Sequence, residues 1–402
     1  MSTTLAICFT NFGPYHLARL RALAVALEED GGKLLAYEMA GTEKRYPWQP
    51  ARGDEPFAWS TFFPDQAVER LSGGACSQAI YAALDRDQPS AVAIVGYARP
   101  ESRAALRWGW KHDVPVILMS ESQSIDHPRV WWKEVIKRGR VERCSAGLVG
   151  GPRHRDYLVD LGLPADRIAL GYNAVDNDHY ATLADSARQD PAGRSGLPEA
   201  SYFIAVNRFV PEKNLPMLVR AYARYRRGLA EGFRPWDLVL CGGGPNADEV
   251  EAAIVESGFA DSIHRPGFLQ ADVLPRWYAH ASAFVHPSLM EPWGLVVNEA
   301  AVCGLPLLVS DLAGAVETFV PEGKDSTGRR FDPRDEDSLA ACLEWMATQP
   351  EADRLAQGRR AAAVASEWGP ERFARGTLEA IAVAARGPSK KRPRYRLLAS
   401  GS

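Results

Sequence analysis

Two glutamates with seven residues between them, Glu291 and Glu299, stand in the run Glu291-Pro292-Trp293-Gly294-Leu295-Val296-Val297-Asn298-Glu299. The run follows an apolar strand at Ala283–His286 and the turn Pro287-Ser288, and it reads as the opening of a helix. A helix start presents unpaired N–H groups and the positive end of the peptide dipole, which suits a phosphate. Gly294 permits close approach of the backbone. Ionised carboxylates only accept hydrogen bonds. Glu291 before the helix and Glu299 inside it therefore suit neutral hydroxyls on either side of a diphosphate, and suit the diphosphate itself badly. Taken alone, Glu299 reads rather as an exposed helical charge, and Glu291 can be a plain helix-start carboxylate. A second segment supplies the missing positive charge: the strand Tyr202–Val206 runs into Asn207-Arg208-Phe209-Val210-Pro211-Glu212-Lys213. Arg208 and Lys213 leave one strand end together, where open α/β sheets bind ligands, and a guanidinium fork with an ammonium suits a diphosphate.

The elements that must hold these groups alternate strand and helix. Apolar runs at 5–9, 91–95, 114–119 and 147–150 read as buried parallel strands in the first half. Asn11-Phe12-Gly13-Pro14 turns into a helix over 15–28, and Pro100–His112 reads as a crossover helix. The small, polar stretch 185–201 reads as a surface loop or interdomain connection. The rhythm then restarts with Tyr202–Val206, a helix over 215–229, Asp237–Cys241, Ala283–His286 and Leu307–Ser310. The fold class expected is α/β, with two doubly wound parallel-sheet domains facing across a cleft. At 402 residues the chain exceeds what one core usually serves.

Composition excludes some partners. The formal net charge of -3 gives no field for nucleic acid. The six cysteines are scattered singly and read as reduced core residues, with no zinc or disulfide pattern. The apolar start is too short and lacks a basic leader for a signal peptide, and no run approaches the roughly 18 apolar residues of a membrane span. A cytoplasmic protein is expected, soluble or peripheral on the inner face of the membrane. The segment 129–138 mixes Trp131 and Trp132 with basic residues at helical spacing. Such a helix can lie among lipid headgroups; the arrangement expected here packs its aromatic face on the sheet and leaves Lys133 and Lys137 solvated. Gly242-Gly243-Gly244-Pro245 lacks the Lys-Ser/Thr of a triphosphatase loop and reads as a turn.

The carboxylate pair and the arginine–lysine pair, together with Leu240–Pro245, Pro266-Gly267-Phe268-Leu269, Pro306–Gly314 and Asp332-Pro333, resemble glycosyltransferase family four, the retaining GT-B enzymes. The resemblance runs from about Tyr172 to about Asp335 and is weaker in the first half. It implies an acceptor-binding Rossmann-like domain over 1–169, a nucleotide-sugar domain over 170–370, a helix over 371–386 crossing back to the first domain, and a basic tail over 387–402. It implies a retaining transfer of a hexose-type sugar from a nucleotide diphosphate sugar to a hydroxyl acceptor (a saccharide, a lipid-linked glycan or a small natural product). The departing diphosphate oxygen would take the acceptor proton by front-face substitution. Catalytic roles fall to Glu291, Arg208 and Lys213. Donor contacts fall to Gly13, Leu269, Gly294, Leu295, Val296 and Glu299: Glu299 on the ribose, Leu269 at the base. No metal and no cofactor beyond the nucleotide sugar are expected. Family members often carry a histidine after the strand matched by 114–119, whereas this chain reads Ser120-Glu121-Ser122-Gln123. Glu121 stands there as a hydroxyl contact or as a plain polar loop residue, and His16 beside Gly13 as an acceptor contact or a satisfied helix-start residue. The alternative readings are a phosphorylase or epimerase of the same fold, which the products would separate from transfer, and a catalytically silent sugar-nucleotide-binding subunit, against which the intact cation and carboxylate pairs argue.

Overall fold

The computed structural model describes residues 2–44 and 53–387 and contains two all-parallel sheets. In the first, β1 (Thr4–Phe9), β2 (Lys33–Thr42), β3 (Ala58–Ala67), β4 (Ala91–Val95), β5 (Val116–Ser120), β6 (Ala146–Val149) and β7 (Ile168–Leu170) lie in the order β3-β2-β1-β4-β5-β6-β7. In the second, β8 (Tyr202–Val206), β9 (Asp237–Cys241), β10 (Ile263–Gly267), β11 (Ala283–His286), β12 (Leu307–Ser310) and β13 (Gly328–Phe331) lie in the order β10-β9-β8-β11-β12-β13. These are the two Rossmann-like α/β sheets that the alternating pattern predicts.

Strand alternation explains why helices cover both faces. Along β1, Leu5, Ile7 and Phe9 join the core under the helices Pro14–Glu29 and Pro370–Ala384, while Ala6 and Cys8 point into the core under Gly73–Asp87 and Pro100–His112. Along β8, Phe203 and Ala205 pack beneath Leu215–Gly228, and Tyr202 and Ile204 beneath Leu295–Val302. All six cysteines are buried and unpaired.

The last described helix, Pro370–Ala384, returns from the second sheet to the first, where Phe373, Ala374 and Ala380 share a core with Leu5 and Leu20. Gly376 makes that approach possible: a Cβ there would meet the carbonyl oxygen of Leu170 at 2.3 Å. The polar stretch 185–201 is only partly a loop, because the helix Asn177–Gln189 continues into it before the turns that lead to β8. The basic tail from 388 onward lies outside the described residues.

One expectation is overturned. The helix Trp131–Val141 does not pack its aromatic face on the sheet: Trp131 is 78% and Val135 61% exposed, and Trp132 and Ile136 are exposed as well. The one residue it buries is Val141. The tryptophans lie on the side of the helix opposite to that contact, so helical spacing brought the aromatic residues together without telling which side met the protein.

Candidate active site

Both sheets reverse strand order between neighbours, at β1/β4 and at β8/β11. Chains diverging from such a point leave a crevice at the carboxyl ends of the strands. The two crevices face each other across a cleft of about 680 Å³, lined from the first domain by Gly13, Tyr15, His16, Arg19 and Glu121. From the second come Arg208, Lys213, Leu269, Glu291, Gly294, Leu295, Val296 and Glu299. All eleven residues singled out in the sequence line this one space.

The segment 291–294 is fixed before any side chain is considered. The N–H groups of Gly314 and Ala315 donate to the carbonyls of Glu291 and Trp293, each at 3.0 Å. From the first domain, the Gln123 amide donates to the carbonyls of Glu291 and Pro292 at 3.1 Å, and His154 Nε2 donates to that of Pro292 at 2.6 Å. Gly294 then takes φ 102°, a left-handed conformation that favours glycine, and starts the helix Leu295–Val302. The first turn of that helix, Leu295 and Val296, therefore borders the cleft.

Glu291 forms an ion pair with Lys213, and its Oε2 also lies 3.0 Å from Nε2 of His286. Burial alone would raise the Glu291 carboxyl, but the Lys213 ammonium and His286 outweigh it and hold it down to about 2. Burial lowers the pKa of the His286 imidazole, against the pull of Glu291. Lys213 thus does not stand simply as a second cation beside Arg208. It is already engaged with the Glu291 carboxylate. Arg208 follows β8 half-buried at the same wall.

Glu299 is fully buried, neither an exposed helical charge nor an open carboxylate. Tyr15 donates to its Oε1 and Tyr278 donates to its Oε2 at 2.9 Å. Burial pushes its carboxyl up to about 7, against the hydrogen bonds of those tyrosines.

In the first domain, the Gly13 N–H donates to His16 Nδ1 at 3.1 Å, closing the first turn of Pro14–Glu29. The His16 ring rests 4.5 Å from that of Phe9, and burial, with Arg19 nearby, lowers its pKa to about 3. His16 is thus a neutral capping residue at the cleft wall. Glu121 is half-buried, accepts from the Asn173 amide, and has its pKa raised by burial against the influence of Arg19. The loop 11–13 is held from behind by Glu38, which accepts from the Phe12 N–H at 2.7 Å and the Thr61 hydroxyl at 2.7 Å. Asn11 and Trp59 donate to it at 3.2 Å. Sequence reasoning missed Tyr15, Glu38 and His286. His286 carried a signal, since it ends a strand five residues before Glu291; Tyr15 and Glu38 carried none. Among the described residues, no group of three or more His, Cys, Asp or Glu is gathered as a metal site.

Residues 193–363 match the family described as Glycosyl transferases group 1, the same stretch of chain in which the motifs lie. Over 197 residues it is 32% identical to the GDP-mannose-dependent alpha-(1-6)-phosphatidylinositol monomannoside mannosyltransferase of Mycolicibacterium smegmatis, covering 47% of each chain. Over 239 residues it is 28% identical to O-antigen chain mannosyltransferase B of Escherichia coli, covering 57% of this chain and 58% of that one. The chain spans about half the length of the curated relatives it matches. Its fold is similar to that of sucrose-phosphate synthase from Thermosynechococcus elongatus, with a TM-score of 0.70 over 95% of this chain and 100% of that one at 19% identity. The two-sheet architecture is therefore the GT-B fold.

Proposed function

We propose that this protein transfers a hexose from a nucleotide diphosphate sugar to a hydroxyl acceptor with retention of configuration. The observation that carries the reading is the locked Lys213–Glu291 pair just ahead of the Leu295–Val302 helix, in one cleft with Arg208 and Glu299. In this reading the diphosphate lies against the helix start and Arg208, which stabilise the negative charge that develops as it leaves. Lys213 serves both the diphosphate and Glu291. The Glu291 carboxylate, held ionised, accepts hydrogen bonds from hydroxyls of the sugar, and Glu299 exchanges the Tyr15 hydroxyl for those of the ribose. The bond from the anomeric carbon to the acceptor oxygen forms on the face from which the phosphate oxygen departs, and the acceptor proton passes to that oxygen. Positioning and preorganised charge supply the acceleration, with no protein nucleophile and no metal. The two mannosyltransferases among the relatives support a hexosyl donor.

The test is the product. With an α-linked nucleotide hexose, NMR of the purified product is expected to show an α-linkage and release of nucleoside diphosphate. A β-linked product would exclude front-face transfer. Release of free sugar phosphate with inorganic phosphate as co-substrate would point to phosphorolysis instead.

A further inference from the structure

The helix Trp131–Val141 presents its apolar side outward. Trp131, Trp132, Val135 and Ile136 form one exposed stripe, and Ile125 in the preceding loop is exposed too. The charge around this stripe is one-sided. Residues 129–143 hold six basic side chains against Glu134 and Glu142, in a chain whose formal charge is -3. Glu134 is turned away and engaged by Lys137, whereas Lys133 and Arg138 flank the stripe and are exposed. Contiguous exposed apolar area of this kind marks an interaction surface.

We propose that this helix is a docking face for an anionic lipid surface, lying in the headgroup plane with the two tryptophans inserted. Aromatic rings that are apolar in body and polar at the tip favour that depth, and the flanking Lys133 and Arg138 match the negative potential of an anionic leaflet. A second copy of the chain fits worse. Two-fold pairing would place the same basic segment against itself, and like charges facing each other oppose association. The helix is also tied to the cleft: Arg129, two residues before it, donates to the carbonyls of Ser124 and Gln123, and Gln123 bonds the Glu291 and Pro292 backbone. A surface bound at this helix therefore lies next to the wall of the proposed active site. The inference stands on exposure and charge and does not depend on the transfer reaction.

The test is co-sedimentation of the full chain, without donor, with vesicles of phosphatidylglycerol and phosphatidylcholine or of phosphatidylcholine alone. Wild type is expected to bind the anionic vesicles, with a blue shift of tryptophan emission and with weakening at high salt. Trp131→Ser/Trp132→Ser and Lys133→Glu/Arg138→Glu are each expected to lower partitioning by about tenfold or more. Both are expected to leave the circular dichroism and the turnover of a soluble acceptor unchanged, because Trp131, Trp132 and Lys133 are exposed and Arg138 reaches only the carbonyl of the exposed Asp160. Absence of wild-type binding, or equal binding by the double variants, would overturn the proposal. So would a wild-type dimer in light scattering that the tryptophan variant abolishes while vesicles bind neither protein, which would assign the face to self-association.

Discussion

The phenol of Tyr15, on the first helix of the N-terminal sheet, donates a hydrogen bond to the carboxyl of Glu299, on a helix of the C-terminal sheet. The two residues are 284 positions apart in sequence. Their bond joins the two halves of the cleft.

Glu299 gives stability a pH dependence of definite sign. Its carboxyl titrates near 7 in the folded chain against an ordinary 4.5, so between those values the folded state keeps a proton that the unfolded state has lost. The stability it contributes is full below about 4.5 and is lost as the pH rises through 7, at up to about 1.4 kcal/mol per pH unit. Urea unfolding across this range should show the decline in wild type. Glu299→Gln, which does not ionise, should flatten it. Identical profiles for the two proteins would mean that Glu299 is already ionised in the fold.

The Lys213–Glu291 pair predicts a strongly coupled mutant cycle. Both side chains are nearly buried, at 13% and 12% exposure, so removing one charge strands the other. Lys213→Met and Glu291→Gln should each cost about 3 kcal/mol, and the double variant much less than their sum. Both single variants should also lose turnover far beyond any loss of folded protein. Additive costs in denaturant unfolding would show that the pair is not coupled.

The central strands of both sheets, apart from β2, were legible in the sequence because they are buried on both faces and read as short continuous apolar runs. The strands that escaped notice include all four sheet edges: β3, β7, β10 and β13. An edge strand can hold a proline or charges without breaking a central ladder. Pro64 in β3, Pro266 in β10 and Arg329-Arg330 in β13 hide the strand pattern in just this way. β7 is only three residues long. Leu269 follows β10 and was reached only through the family resemblance, whereas Arg208, Lys213, Glu291 and Glu121 were found because they follow strands legible in the sequence. Their pairings were not: Lys213 and Glu291 are 78 positions apart, and no local spacing reports which carboxylate a lysine will meet.

Gly294 should tolerate no side chain cheaply. Its φ of 102° is unfavourable for any residue with a Cβ. Gly294→Ala should cost about 1–3 kcal/mol of stability. Because the strain falls at the start of the Leu295–Val302 helix, it should also weaken nucleoside diphosphate binding, read by calorimetry. An alanine variant with unchanged unfolding and affinity would show that the turn relaxes without consequence.

Glu38 stands behind the cleft wall and reaches it through Asn11, and it should govern the cleft. It is 1% exposed and accepts hydrogen bonds from Asn11, Phe12, Trp59 and Thr61. An ionised carboxylate can accept from all four, because it carries only acceptors. Glu38→Gln puts an NH₂ group against at least one of these donors, so one buried donor loses its partner at about 1–3 kcal/mol. If the amide oxygen keeps Phe12 and Asn11, the loss falls on β3 and the loop ahead of Gly13 stays in place. If it turns the other way, that loop loosens, and the donor KM should rise while kcat changes less. Glu38→Ala frees both sides, so it should show the KM effect whichever way the glutamine turns. Turnover kinetics of the two variants, alongside their urea midpoints, separate these outcomes. A Glu38→Ala enzyme that is destabilised but keeps the wild-type donor KM would reduce Glu38 to a structural residue.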